Sequence, residues 1–220
     1  AASEKLGNYE EAVDAFSRAI SVKPNFSGAY NNIGSVFRKL GNTHKAIESY
    51  KKAIEIQPDL AEAYNNLGNA LKDDQRLLES INCYKKAINF KPDLVAAHYN
   101  MAVTFTDLND INQAIQAYEK ALMLRPKNSQ ALYNLGLCLI GVRFRKPSKV
   151  MQNIISNLLE KTTYVRPKDI CIAAISLLKL EPTLKKLLEK KSDKISESSI
   201  ERTILDLTKI PLLLKLMRVT

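Results

Sequence analysis

Four asparagines recur in the sequence at intervals of 34 residues: Asn32, Asn66, Asn100 and Asn134. Asn66 stands in the stretch AYNNLGNALK at 63–72, and similar stretches surround the other three. Inside a helix, asparagine costs roughly half a kcal/mol against alanine, because its side chain competes for backbone hydrogen bonds. Its amide offers a donor and an acceptor, which suits the amide groups of a peptide backbone. These residues could therefore hold an extended chain with little regard to its sequence, or they could only stabilise neighbouring helices.

The sequence carries no pattern that indicates catalysis, a cofactor or a metal site. It has no G-x-G-x-x-G, no phosphate-binding loop, no H-E-x-x-H and no G-x-S-x-G. The two histidines, His44 and His98, lie in different repeats of the sequence, and His98 replaces an aromatic residue, which predicts a packed histidine. Asp73 and Asp74 are expected at a helix end, in solvent. We therefore expect no cofactor, no metal ion and no catalytic residue in this chain.

Prolines with the same spacing set the register of the elements that would position the asparagines. Each of Pro24, Pro58, Pro92 and Pro126 ends one helix, and the Asn or Asp that follows most of them can cap the next. With proline at position 32 of each repeat, complete repeats 1, 2 and 3 begin at Ser27, Ala61 and Val95, and half repeat 4 begins at Ser129. Position 8 is always Gly or Ala, position 20 is Ala or Ser, and position 24 is Tyr. The pattern predicts two antiparallel helices per repeat, with positions 8 and 20 facing each other, stacked into an all-α solenoid.

The period, the prolines, the small residues and the tyrosines are similar to the tetratricopeptide repeat (TPR) family over residues 1–140. The resemblance implies a TPR solenoid, a right-handed superhelix of antiparallel helix pairs whose first helices form a concave wall. Two departures are small: Gln75 replaces the turn glycine seen at Gly41, and His98 replaces an aromatic residue. The asparagine column also resembles the asparagine ladder in the TPR domains of O-linked N-acetylglucosamine transferases.

Side chains at positions 2, 6, 9 and 13 are expected to line the groove of this wall, because positions 4, 7, 8 and 11 cluster on the other side of the first helix. The candidate peptide-binding residues are Asn32, Asn66, Asn100, Asn134, Asn69, Ser35, Arg38, Lys39, Asp73 and Asp107. The groove becomes more apolar in later repeats, where position 9 is Val103 and Leu137. It lacks the clustered Lys and Arg with which TPR co-chaperones bind the acidic C-termini of heat-shock chaperones.

A second domain is expected after the repeats. The net charge is +10 over the chain, of which residues 1–142 carry +1 and residues 143–220 carry +9. We therefore expect a TPR array at 1–142, with a partial repeat before Ser27, and a basic helical C-terminal extension or cap at 143–220. Leucine pairs predict that this extension packs on the last repeat. Its helical patterns lie at about 148–161, 168–180, 183–191 and 198–218.

Two functions remain open on the sequence alone. The first is a protein–protein interaction scaffold that binds an extended peptide or partner segment in the concave groove. The alternative is the substrate-recognition part of a larger glycosyl- or methyltransferase whose catalytic domain lies beyond Thr220, since the chain begins in mid-repeat like a fragment. A protein or peptide is the expected partner, in either case.

Other partners are disfavoured. The basic segment that contains RFRK and KKSDK has few aromatics that could stack on bases, which argues against nucleic acid. No apolar run is long enough to span a membrane. The three cysteines have no metal-type spacing, which indicates thiols in a reducing, cytoplasmic environment. The partner, the pathway and the oligomeric state stay open.

Overall fold

The computed structural model describes residues 2–160, 167–182 and 211–213. This described part contains helices and no strand, which confirms the predicted all-α class. The helices are α1 (Ala2–Val22), α2 (Ser27–Lys39), α3 (Thr43–Ile56), α4 (Ala61–Asp73), α5 (Leu77–Phe90), α6 (Val95–Asp107), α7 (Ile111–Leu124), α8 (Ser129–Cys138), α9 (Lys149–Glu160) and α10 (Pro167–Lys179). The helix predicted at 183–191 and most of that predicted at 198–218 lie outside the described residues.

The first helix of each repeat begins at the residue that the 34-residue period predicts, but its cap differs from the prediction. The N-cap residues of α2, α4 and α6 are Phe26, Leu60 and Leu94, whose side chains make no capping hydrogen bond. The prediction that the Asn or Asp after the proline caps these helices is therefore wrong. Side-chain capping occurs at α8, where Asn128 accepts from the backbone N–H of Ala131 at 3.1 Å.

A residue with positive φ separates the two helices of each complete repeat. In repeat 1 this residue is Gly41, with φ of 76°, and in repeat 2 it is Gln75, with φ of 62°. The backbone N–H of the next residue donates back to the first helix, from Arg76 to Leu71 at 2.8 Å. This pattern closes the C-terminal end of a helix by a left-handed residue, a conformation that glycine adopts without strain and glutamine does not.

The position-8 glycine packs against the position-24 tyrosine within a repeat. A Cβ added to Gly68 would lie 2.6 Å from Cε1 of Tyr84, and one added to Gly34 would lie 2.8 Å from Cε1 of Tyr50. The atoms nearest to position 8 therefore belong to the tyrosine at position 24, whereas the facing of positions 8 and 20 stays a prediction. Glycine at position 8 makes room for a large, fully buried aromatic side chain.

The chain divides into two compact units, an N-terminal unit of residues 1–117 and a C-terminal unit of residues 118–220. In the N-terminal unit, consecutive helices from α1 to α6 pack against each other, and the first helices α2, α4 and α6 also contact their neighbours in that row. In the C-terminal unit, α9 contacts both α8 and α10. The boundary near residue 142, and the role of 143–220 as a cap, stay predictions.

The C-terminal unit has an apolar core of its own. Helices α9 and α10 correspond to the patterns predicted at 148–161 and 168–180, and both leucine pairs within them are buried. Ile155, Leu158, Ile170 and Leu177 have no exposed surface. Burial of such aliphatic side chains gives about 1.5–3 kcal/mol each, which explains why this region forms helices without the repeat pattern.

Candidate peptide-binding surface

Four asparagines of the N-terminal unit form a chain of side-chain hydrogen bonds across three neighbouring first helices. Nδ2 of Asn66 on α4 donates to Oδ1 of Asn31 on α2 at 3.0 Å. Nδ2 of Asn100 on α6 donates to Oδ1 of Asn65 on α4 at 3.1 Å. Nδ2 of Asn65 lies 3.4 Å from Oδ1 of Asn66 and joins the two bonds. We call these four residues the amide chain.

Each bond between helices joins position 6 of one repeat to position 5 of the preceding repeat. Asn65 is buried, Asn66 and Asn100 are half-buried, and Asn32 is exposed. Sequence reasoning found position 6 and missed position 5. The signal for position 5 was present as the doubled asparagines at 31–32 and 65–66.

The position-9 residues Ser35 and Asn69 each accept a hydrogen bond from the buried tyrosine of the same repeat. The phenol of Tyr50 donates to Oγ of Ser35 at 3.1 Å, and the phenol of Tyr84 donates to Oδ1 of Asn69 at 2.9 Å. Burial raises the pKa of both tyrosines above the ordinary value, so the phenols stay protonated as donors. Position 9 therefore belongs partly to the protein's own packing.

The charged candidates form ion pairs between neighbouring first helices. Nε of Arg38 lies 2.6 Å from Oδ2 of Asp73, and Nζ of Lys72 lies 3.3 Å from Oδ2 of Asp107. Each pair joins position 12 of one repeat to position 13 of the next. Lys39 lies instead over the ring of Tyr9 in α1, 5.7 Å from its centroid.

The second ion pair borders an open cavity of about 550 Å³. Lys72, Asp73 and Asp107 line it, together with Gln75 and Leu77 at the turn between α4 and α5. The amide chain and the ion pairs are thus contributed by the same three helices, α2, α4 and α6.

Asn134 lies on α8 in the C-terminal unit, where it is half-buried. The structure therefore places nine of the ten candidate residues on the three adjacent first helices of the N-terminal unit.

His98 is a packed side chain, in agreement with its place in the repeat. It is buried, and its Nε2–H donates to the backbone carbonyl of Pro92 at 2.9 Å. The described residues contain no group of three His, Cys, Asp or Glu side chains that could hold a metal ion. None of the described helices has the length and apolar character needed to cross a membrane.

Family models match more than half of the chain. The model described as TPR repeat matches residues 5–41, 34–75 and 68–105, and the model described as tetratricopeptide repeat matches 95–128. The last match coincides with repeat 3 as the sequence period defines it. No curated protein sequence matches the chain.

Solved structures with a similar fold include two of MamA. One is 26% identical with a TM-score of 0.56, over 61% of this chain and 79% of that one. The other is 21% identical with a TM-score of 0.56, over 87% of this chain and 91% of that one. The first TPR of Spaghetti (RPAP3), bound to the HSP90 peptide SRMEEVD, is 20% identical with a TM-score of 0.50, over 51% of this chain and 89% of that one.

These comparisons do not show the resemblance to the O-linked N-acetylglucosamine transferases, and they give no support to the alternative of a transferase fragment. They agree with the geometry of the N-terminal unit, in which helix pairs repeat every 34 residues and the first helices lie side by side. The chain belongs to the tetratricopeptide repeat family.

Proposed function

We propose that this protein is an interaction scaffold and that the first helices of its N-terminal unit bind an extended segment of a partner protein. The observation that carries the proposal is the amide chain, which places polar side chains in a row across α2, α4 and α6. Because the chain belongs to a family of protein-binding repeats, we expect the ligand of these side chains to be a protein.

The amides keep hydrogen-bonding capacity beyond their bonds to each other. A side-chain amide has two N–H donors and an oxygen that accepts two bonds. Asn66 uses one donor toward Asn31 and one acceptor site toward Asn65, which leaves one of each. The exposed Asn32 makes no side-chain hydrogen bond within the described residues. Peptide groups of an extended chain would pair with these remaining donors and acceptors.

The charges of this surface favour a segment that is not strongly acidic. Arg38 and Lys72 are each paired with a carboxylate of the neighbouring first helix, so their charge is already compensated. The Spaghetti (RPAP3) domain was solved with an acidic peptide, but its low identity to this chain supports the fold only. We therefore propose recognition through the peptide backbone rather than through an acidic tail.

Asn32 gives a clean test, because its removal breaks no hydrogen bond in the described part of the protein. A peptide is selected from a random display library on the full chain, and its affinity is measured by titration calorimetry. Asn32→Ala should weaken binding by about 1 kcal/mol, the usual net value of one hydrogen bond. Asn89→Ala, at an exposed asparagine of α5 away from the amide chain, is the matched control and should leave the affinity unchanged.

Backbone recognition has a second signature. Methylation of the peptide's backbone nitrogens removes its donors and should weaken binding strongly, whereas exchange of its side chains should matter less. If N-methylation has no effect, or if Asn32→Ala and Asn89→Ala behave alike, the surface does not bind a backbone and the proposal is wrong.

A further inference from the structure

Helix α8 is apolar at positions where the preceding first helices are mostly polar. Positions 5, 9 and 12 carry amide, hydroxyl or cationic side chains in repeats 1 and 2: Asn31, Ser35 and Arg38, then Asn65, Asn69 and Lys72. In half repeat 4 the same positions carry Tyr133, Leu137 and Ile140. Because the repeat fold accepts polar residues there, packing of the helices does not require these three apolar side chains.

All three side chains are accessible. Tyr133 is 42% exposed, Leu137 47% and Ile140 51%. They follow one another at intervals of four and three residues, so they lie along one side of α8 and its C-terminal turn. The other side of the helix is buried, at Leu132, Leu135 and Leu139. We call Tyr133, Leu137 and Ile140 the apolar stripe.

A basic segment follows the apolar stripe directly. Arg143, Arg145, Lys146 and Lys149 are exposed, and none of them takes part in an ion pair within the described residues. The segment is fixed at its middle, where the backbone N–H of Phe144 donates to Oγ of Ser176 on α10 at 2.9 Å.

Two carboxylates of the C-terminal unit are hydrogen-bonded to side chains in this segment or just after it. Glu119 accepts a hydrogen bond from Ser148 at 3.2 Å, and Glu181 accepts one from Gln152 at 3.1 Å. Both donors are neutral. Within the described residues, the C-terminal unit therefore presents an accessible apolar row, followed in sequence by four cations that form no ion pair.

We propose that the apolar stripe and the basic segment together dock an acidic amphipathic segment of a partner protein. Apolar side chains of the partner would cover Tyr133, Leu137 and Ile140, and its carboxylates would pair with residues of 143–149. Both halves of the chemistry are needed, since apolar contact supplies affinity and charge complementarity selects the partner. This site uses different residues from those of the amide chain, so the two proposals stand or fall separately.

A membrane and a nucleic acid fit these observations less well. The three stripe residues are each about half covered by the protein, whereas an interfacial helix buries an apolar face roughly 5–10 Å deep in the bilayer. Single-stranded nucleic acid needs a series of aromatic faces for stacking, and the stripe has one aromatic residue, Tyr133.

The test is a differential selection of random displayed peptides on the full chain and on a stripe variant. The variant carries Tyr133→Asn, Leu137→Asn and Ile140→Thr, the residues that Asn65, Asn69 and Thr106 place at the same positions of earlier repeats. A control variant carries Val22→Asn and Leu78→Asn, two exposed apolar residues on α1 and α5. Circular dichroism and thermal melting confirm that each variant is folded.

Peptides retained by the native chain but not by the stripe variant should combine leucine or similar residues with Asp and Glu. Their affinity should fall by about tenfold or more on the stripe variant, as for other central apolar anchors, and stay unchanged on the control. Arg143→Gln with Arg145→Gln should also weaken binding, and the loss should resemble that caused by about 1 M salt, which screens charges beyond a few ångströms.

Several outcomes would overturn the proposal. Selection of the same peptides by the native chain and the stripe variant would mean that the stripe is not a docking site. Enrichment of basic peptides would exclude an acidic partner. Sedimentation that shows dimers of the native chain but not of the stripe variant would assign the stripe to a second copy. Tight binding to anionic lipid vesicles or to polyuridylate, without any retained acidic peptide, would assign the region to those ligands instead.

Discussion

The side-chain amide of Asn100 donates to Oδ1 of Asn65 in the preceding repeat, with the two atoms 3.1 Å apart. Asn65 is a buried residue, so this bond satisfies an acceptor that water reaches poorly. Asn66 and Asn100 therefore stabilise the packing of neighbouring first helices, whether or not they also bind a ligand. The two roles suggested by the sequence are compatible, and different variants separate them.

The amide chain predicts a loss of stability for Asn66→Ala combined with Asn100→Ala. Helix propensity alone would leave the stability unchanged or improve it slightly. The structure reverses this expectation, because the double variant removes the bonds to Asn31 and Asn65 and leaves a buried amide without its partners. We expect the free energy of unfolding to fall by about 1–3 kcal/mol, measured by urea titration.

Asn32→Ala is the control for that prediction. Asn32 is exposed and stands at position 6 of repeat 1, as Asn66 and Asn100 do in repeats 2 and 3. The stability of the Asn32→Ala variant should therefore be unchanged or slightly higher. A double variant as stable as the native chain would show that the amide chain contributes nothing to folding.

The turn residue Gln75 predicts a stabilising substitution. Its φ of 62° is a left-handed conformation that costs a non-glycine residue about 1 kcal/mol, and the same turn in repeat 1 has Gly41. Gln75→Gly should therefore raise the free energy of unfolding by up to about 1 kcal/mol. Gln116→Gly, within helix α7, should lower it by a similar amount, because glycine is a poor helix former. If Gln75→Gly and Gln116→Gly both raise the melting temperature, or both lower it, the prediction is wrong.

The buried phenol of Tyr84 predicts a dependence of stability on alkaline pH. Burial raises the pKa of Tyr84 above 10.0, so the folded protein holds this proton more tightly than the unfolded chain does. Its contribution is complete below the pKa of an unfolded tyrosine, near 10, and is lost as the pH rises beyond that value.

Tyr84→Phe separates this effect from the rest of the molecule. At pH 8 the variant should be less stable by about 1 kcal/mol, since it lacks the hydrogen bond to Asn69. Above about pH 10 the difference in melting temperature should narrow, because the native chain then has to ionise a buried phenol. A constant difference across that range would contradict the assignment. Tyr133→Phe, on an exposed tyrosine of α8, controls for the loss of a phenol.

Removal of the residues after 142 predicts a less stable array. Helices α9 and α10 bury Ile155, Leu158 and Leu177, and α9 contacts α8 in the last repeat. A chain of residues 1–142 should melt at a lower temperature and bind a dye that reports exposed apolar surface. If it melts unchanged and stays monomeric, residues 143–220 do not act as a cap.

The helices of the repeats could be predicted from the sequence because prolines, small residues and tyrosines recur every 34 residues. Each of the four regularly spaced prolines stands three residues before a first helix, and the small and aromatic residues recur in the same register, so the starts of α2, α4, α6 and α8 follow from counting. The N-caps were mispredicted because Leu60 and Leu94 hold these positions through their backbone carbonyls, which accept from Ala63 and Ala97. The preference for Asn, Asp, Ser or Thr at the N-cap does not identify a helix start that is capped only by a backbone carbonyl.

The contacts between repeats could not be predicted from one helix. A helical wheel gives the direction of a side chain about its own axis, but the offset between neighbouring first helices depends on how two repeats stack. That offset pairs residues 35 apart, as in Asn31 with Asn66 and Arg38 with Asp73, rather than the 34 of the sequence period. The half-buried state of Asn66 and the pairing of Arg38 both follow from this one-residue shift.

The amide bonds and ion pairs join the same three helices, and they have a mechanical consequence for the N-terminal unit. They connect α2 to α4 and α4 to α6. A motion that spreads the first helices apart has to stretch these short polar contacts. We therefore expect the row to resist a ligand that wedges the first helices apart.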